Sequence, residues 1–70
     1  MSVKNYLKLA RVKNGDLTQQ QLADEVKCSR QTINSIEKSR FNPSIELALK
    51  ISQKLNTPIH ELFELEDKEE

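Results

Sequence analysis

Seventy residues make at most one domain. The composition is 36% hydrophobic and 31% charged, which fits a globular helical chain and not a disordered one; no apolar run approaches the ~20 residues of a membrane span, and the single cysteine, Cys28, leaves no internal disulfide. Formal net charge is zero, yet residues 1–40 carry eight Lys/Arg against four Asp/Glu, while residues 41–70 carry three against seven, so a +4 part is joined to a −4 part.

That asymmetry reads as one basic working face with an acidic tail, or as plain solvated surface charge. A CxxC pair or a His/Cys cluster is missing, so neither a structural zinc site nor any other metal is expected. The start, "MSVKNYLKLARVKN", lacks the apolar core of a secretory signal, and a reduced cytoplasmic setting is the expectation. A core this small often gains stability from a partner, so oligomerisation is expected too.

Five short helices follow from caps and periodicity. The first is expected from Val3 to Lys13, with Val3, Leu7 and Ala10 on one face and Asn14-Gly15 as its stop. The second, about 18–27, opens on a capping box, Thr18 with Gln21, and a staple of Leu17 on Leu22. Leu22, Ala23 and Val26 form its apolar face. The third, about 29–38, is capped by Ser29 and buries Ile33 and Ile36, with Cys28 stapled on Ile33. Asn42-Pro43 breaks the chain, and Ser44 caps a fourth helix from Ile45 to Leu55 with Leu47, Ala48, Ile51 and Leu55 inward. Thr57-Pro58 reads as N-cap and first residue of a short fifth helix bearing Ile59, Leu62 and Phe63. "FELE", residues 63–66, alternates as a half-buried strand does, or is a frayed helix end. One domain over residues 1–66 and a disordered acidic tail at 67–70 complete the reading.

The third helix carries the functional signal. On a 100° wheel its isoleucines define one side. Gln31, Asn34, Ser35 and Lys38 lie roughly opposite, and Arg30 flanks them in the first turn. A merely solvated helix would favour Glu, Lys and Ala, which are better helix formers than Asn, Ser and Thr. Amides and guanidinium groups suit base edges: Gln or Asn can pair with adenine, and Arg with guanine. The corner formed with the second helix has the small Ala23 and apolar residues at the spacing of a helix-turn-helix. An ordinary helical hairpin is the bland alternative.

Residues 17–63, "LTQQQLADEVKCSRQTINSIEKSRFNPSIELALKISQKLNTPIHELF", resemble the Cro/C1-type (XRE, lambda repressor-like) helix-turn-helix regulators. The nearest likeness is to a short single-domain subfamily marked here by "SRQTINSIE", "FNPSIELALKI" and "PIHELF". The resemblance implies an all-α, five-helix DNA-binding domain, with or without a small antiparallel sheet made from the chain ends. It implies base contacts from Ser29, Arg30, Gln31, Asn34 and Ser35. Phosphate contacts would come from Gln19, Thr32, Lys38, Arg40 and Asn42. Arg11 and Glu37 would form a structural ion pair, and Ile59, Leu62, Phe63 and Leu65 a homodimer interface. Two features depart from the family. Lys27 stands where glycine is usual in the turn, so the turn is strained or its geometry differs. "NGDL" is one residue longer than usual between the first two helices.

Cys28 reads as a buried apolar thiol or a redox switch. Tyr6 and Phe41 could lie along the DNA backbone, and Phe41 could equally pack on the fourth helix. His60 has no ligand partner. Without a nucleophile–base arrangement or a glycine-rich loop, an enzyme is not expected, nor a cofactor or small-molecule ligand. The expected function is a sequence-specific, homodimeric repressor of a palindromic operator on double-stranded DNA, in a prokaryotic or phage-encoded setting at the nucleoid. The alternatives are an antitoxin that autoregulates its promoter and binds a toxin, and a protein-interaction module that binds no DNA.

Overall fold

The computed structural model describes residues 2–66. The elements run β1 (Ser2–Asn5), α1 (Leu7–Lys13), α2 (Gln19–Val26), α3 (Arg30–Glu37), α4 (Ile45–Lys54), α5 (Ile59–Leu62) and β2 (Phe63–Glu66). Five helices and a small two-stranded sheet are thus the architecture of the described residues. The expected disordered tail at 67–70 lies outside the described residues. No helix is long and apolar enough to cross a membrane, among the described residues.

The chain ends pair antiparallel, with Val3 opposite Leu65 and Asn5 opposite Phe63. This decides between the two readings of "FELE" in favour of a strand. It also corrects the first helix, which begins at Leu7 and not at Val3. Val3 is β-branched and stiff, and it finds a cross-strand partner in Leu65. Asn5 ends the strand and serves both neighbours. Its Oδ1 accepts from the Leu7 N–H at 3.3 Å, and its Nδ2 donates to the Ile36 carbonyl at 2.9 Å.

Local capping positions the remaining helices. The Thr18 hydroxyl accepts from the Gln21 N–H, and the Gln21 side chain accepts from the Thr18 N–H, so two of the orphan donors at the α2 start are satisfied. Ser29 caps α3 through the Thr32 N–H, and Ser44 caps α4 through the Leu47 N–H, each at 3.1 Å. Lys27 ends α2 in the left-handed region (φ 61°, ψ 52°), so the turn keeps the geometry glycine would take and carries the strain. At α5 the expected Thr57 cap does not form. The Thr57 hydroxyl donates to the Leu55 carbonyl at 2.9 Å, and Pro58 occupies the cap position with no side-chain bond.

The core draws on every helix. Leu7, Leu22, Ile33, Ile36, Ile51, Leu55 and Leu62 are fully buried. Ala23 is also fully buried, which lets α2 approach its neighbours closely. Leu17, Cys28, Leu47 and Phe63 pack half-buried around this cluster.

Candidate nucleic-acid interface

Burial of Ile33 and Ile36 turns the opposite side of α3 outward. Arg30 and Gln31 are exposed, and Thr32, Asn34 and Ser35 are half-buried. Lys38, Arg40 and Asn42 follow on an exposed loop. Ser39 bends that loop with a positive φ of 59°, and the Arg40 N–H returns to the Ser35 carbonyl at 2.9 Å. Phe41 sits beside α3, where it lines a shallow cleft of about 230 Å³ with Ser29, Gln31, Thr32 and Ser35. The aromatic ring therefore borders the polar face of the helix.

Electrostatics on this face follow from one pairing. Glu37 is the single carboxylate among residues 29–42, against Arg30, Lys38 and Arg40. Its Oε2 accepts from Arg11 Nε at 2.7 Å and its Oε1 from the second guanidinium nitrogen at 3.1 Å. The paired side chains are only 10% and 7% exposed. Arg11 also donates to the Leu17 carbonyl at 2.6 Å, which ties the long α1–α2 loop to the pair. With Glu37 neutralised inward, the exposed charged groups of α3 and its loop are all cationic.

Gln19, in the first turn of α2, faces α3. Its Nε2 donates to Glu37 Oε1 at 3.0 Å and to Asn34 Oδ1 at 3.3 Å. Both amide hydrogens are therefore used inside the protein. What the α2 start can still offer an anion is backbone, since the first N–H groups of a helix have no partner within it. Ser29 and Thr32 are partly committed as well, their hydroxyls 2.9 Å apart while Ser29 caps the helix.

The residues expected at a subunit interface divide. Ile59 is 36% and Leu65 68% exposed, whereas Leu62 is wholly buried. Leu62 is therefore a core residue and not a contact for a partner, because α5 turns that position onto the cluster formed by the other helices. Phe63 packs half-buried on the same cluster. Tyr6 lies on the sheet, its hydroxyl donating to a Glu64 carboxylate oxygen at 2.8 Å. The Lys4 ammonium lies 5.4 Å from the Tyr6 ring centre, and the tyrosine raises the lysine pKa. Cys28 is half-buried, and burial pushes its thiol pKa up.

Asn5 and the Gln19–Asn34–Glu37 contacts are the features that sequence reasoning missed. The i, i+3 spacing of Asn34 and Glu37 was the available hint, because it puts them side by side on α3. The third partner comes from another helix, and no spacing announces it.

Residues 7–62 match the helix-turn-helix family. An uncharacterized HTH-type transcriptional regulator of Methanocaldococcus jannaschii is 43% identical over 67 residues, covering 96% of this chain and 100% of the relative. The HTH-type regulator YgzD of Bacillus subtilis is 37% identical over 65 residues, covering 93% and 97%. A solved structure from Bacteroides fragilis superposes with a TM-score of 0.79 at 23% identity, over 87% of this chain and 97% of that one, a likeness of fold.

Proposed function

Because the chain belongs to the helix-turn-helix family of Cro/C1-type regulators, we propose that it binds double-stranded DNA sequence-specifically as a homodimer and represses transcription from a palindromic operator. The observation that carries this reading is the outward face of α3, where Arg30, Gln31, Asn34 and Ser35 stand over a scaffold fixed by buried Ile33 and Ile36. Arg30 and Gln31 reach base edges in the major groove. Lys38, Arg40 and Asn42, with the backbone N–H groups at the α2 start, hold phosphates and set register. Ser29 and Thr32 flank them as lesser contacts. Its working compartment on this reading is the prokaryotic cytoplasm.

The dimer surface on this reading is the sheet end, where Leu65 and Ile59 are the exposed apolar groups. Leu65→Asp is the variant that tests it. Phe63→Asp would also injure the core, as Phe63 packs on it. Sedimentation of Leu65→Asp at half the wild-type mass supports the interface, and an unchanged mass removes it.

The experiment for the whole reading is selection of bound duplexes from random DNA at physiological salt. An enriched inverted repeat with half-sites about one helical turn apart is the expected result. A folded protein that enriches nothing overturns it. Arg40→Ala should then weaken cognate and random DNA alike and lower the salt slope by about one.

One observation favours the antitoxin reading as a second. A groove of about 400 Å³ beside α1 is lined by Tyr6, Leu9 and Val12 among others, and Leu9 is 56% exposed. Co-expression with the product of the adjacent gene tests it. A stoichiometric complex abolished by Leu9→Asp supports the reading, and separate elution removes it.

A further inference from the structure

We infer that Glu37, acting through Gln19, turns Asn34 so that it presents only hydrogen-bond donors to DNA, and that Asn34 therefore selects a base edge carrying an acceptor. This deepens the operator-binding reading and rests on it.

The argument starts from a carboxylate, which only accepts. Arg11 clamps Glu37 with two bonds, at 2.7 and 3.1 Å, in a setting where neither side chain is more than 10% exposed. Glu37 Oε1 is thereby held towards α2. An amide that meets it must do so with its NH2 group, so Gln19 has one allowed orientation, Nε2 inward at 3.0 Å. That nitrogen has a second hydrogen, and it points at Asn34 Oδ1, 3.3 Å away. Asn34 must receive it with oxygen, because nitrogen there would set donor against donor. The Asn34 Nδ2 is left to face outward, and it makes no hydrogen bond among the described residues. One buried charge thus fixes the sense of two amides in series.

The consequence is a specific base preference. Paired recognition of adenine needs an amide oxygen for N6–H and an amide nitrogen for N7. With Oδ1 turned inward, Asn34 gives up the first of these. Guanine offers O6 and N7 as acceptors and thymine offers O4, while cytosine offers the N4 donor. Asn34 therefore favours guanine or thymine, keeps only N7 of the two adenine contacts, and rejects cytosine. Gln31 is exposed and free of the relay, so paired adenine contacts fall to it. Glu37 and Gln19 are positioning residues in this scheme.

The test is selection from random DNA with four proteins. Asn34→Ala identifies the base pair concerned, as the position whose preference it erases. The wild type should enrich guanine or thymine there over cytosine by about tenfold or more. Gln19→Met frees Asn34 to turn either way, and should flatten that one position while the others hold. Glu37→Gln can set either end of its amide against Gln19, because each rotamer leaves one Arg11 N–H facing an NH2 group, so the relay loses its fixed direction and the preference at that position should weaken while the others hold. If Glu37→Gln does not fold, Gln19→Met decides. A general buttressing role would lower affinity at every position together and leave this preference intact. An operator in which the Asn34 position demands the adenine N6 amino group overturns the inference and spares the operator reading. So does an unchanged preference in Gln19→Met. A wild-type selection that enriches nothing overturns both. Side-chain amide exchange in the free protein gives a check without DNA: the Gln19 NH2 should exchange slowly and the Asn34 NH2 fast, and the reverse order overturns the relay.

Discussion

The α2–α3 corner and the sheet end of the molecule solve the same problem differently. The corner closes on itself. Thr18, Gln21 and Ser29 satisfy helix starts, Leu22, Ala23, Val26, Ile33 and Ile36 fill the space between the helices, and Glu37, Gln19 and Asn34 bond one another across it. The sheet end has four-residue strands, a four-residue helix without a side-chain cap, and Leu65 and Ile59 left exposed. A two-stranded sheet is marginal alone, so this end relies on what it touches: Leu62 in the core and the Tyr6 N–H bonded to the Leu62 carbonyl at 2.8 Å. The difference fits the homodimeric reading proposed above, in which the surface that holds its side chains against DNA is braced from inside and the surface proposed for a second copy stays open.

Loss of Arg11 should damage the corner most. Arg11→Ala leaves the Glu37 carboxylate buried without its charge partner, and removal of one member of such a pair costs about 3–5 kcal/mol. Urea unfolding should show this loss, and Glu37→Ala should show one of similar size. The double variant should be less damaging than the sum of the two, because the orphaned charge is gone. A loss below about 1 kcal/mol for Arg11→Ala would mean that the corner is not held by the pair.

At the other end, Leu62→Ala empties a fully buried site and should cost about 2–5 kcal/mol. Amide exchange sharpens the contrast. In this variant β1 and β2 should lose protection before α2 and α3 do, since the sheet end is tied directly to Leu62 through the Tyr6 N–H, while the corner keeps its own caps and ion pair. Thr18→Ala is the smaller counterpart in the corner. It removes one half of the capping box and should cost about 1 kcal/mol.

What was legible in the sequence was local. Capping residues lie within three positions of the donors they satisfy, so Thr18, Ser29 and Ser44 were readable as helix starts. Apolar spacing marked Leu22, Ile33 and Ile51 as core for the same reason. Val3 reads as helix in the sequence because that reading is locally consistent and its strand partner, Leu65, is distant in the chain. Leu62 reads as an interface residue in the sequence and is core in the fold, because periodicity marks a residue as apolar without saying whether the cover is the same chain or another. Thr57 lost its capping role to a competing carbonyl two residues back. The amide relay was illegible because it depends on the angle at which α2 meets α3. The polar face of α3 was legible as a set of residues, and its donor-only setting at Asn34 was not.

Lys27 is the one place where the corner works against itself. It holds φ 61° and ψ 52°, a conformation in which a side chain crowds the following carbonyl. Lys27→Gly removes that crowding, and loses part of the gain to the greater freedom of the unfolded chain. The net expectation is a stabilisation of about 0.5–1 kcal/mol, seen as a higher midpoint in urea with an unchanged slope. DNA affinity separates strain from use. If Lys27 only fills the turn, the glycine variant binds the selected operator as the wild type does. Weaker binding to cognate and random duplexes alike, with a lower salt slope, would give the lysine a phosphate contact and a reason to occupy a site that suits glycine better.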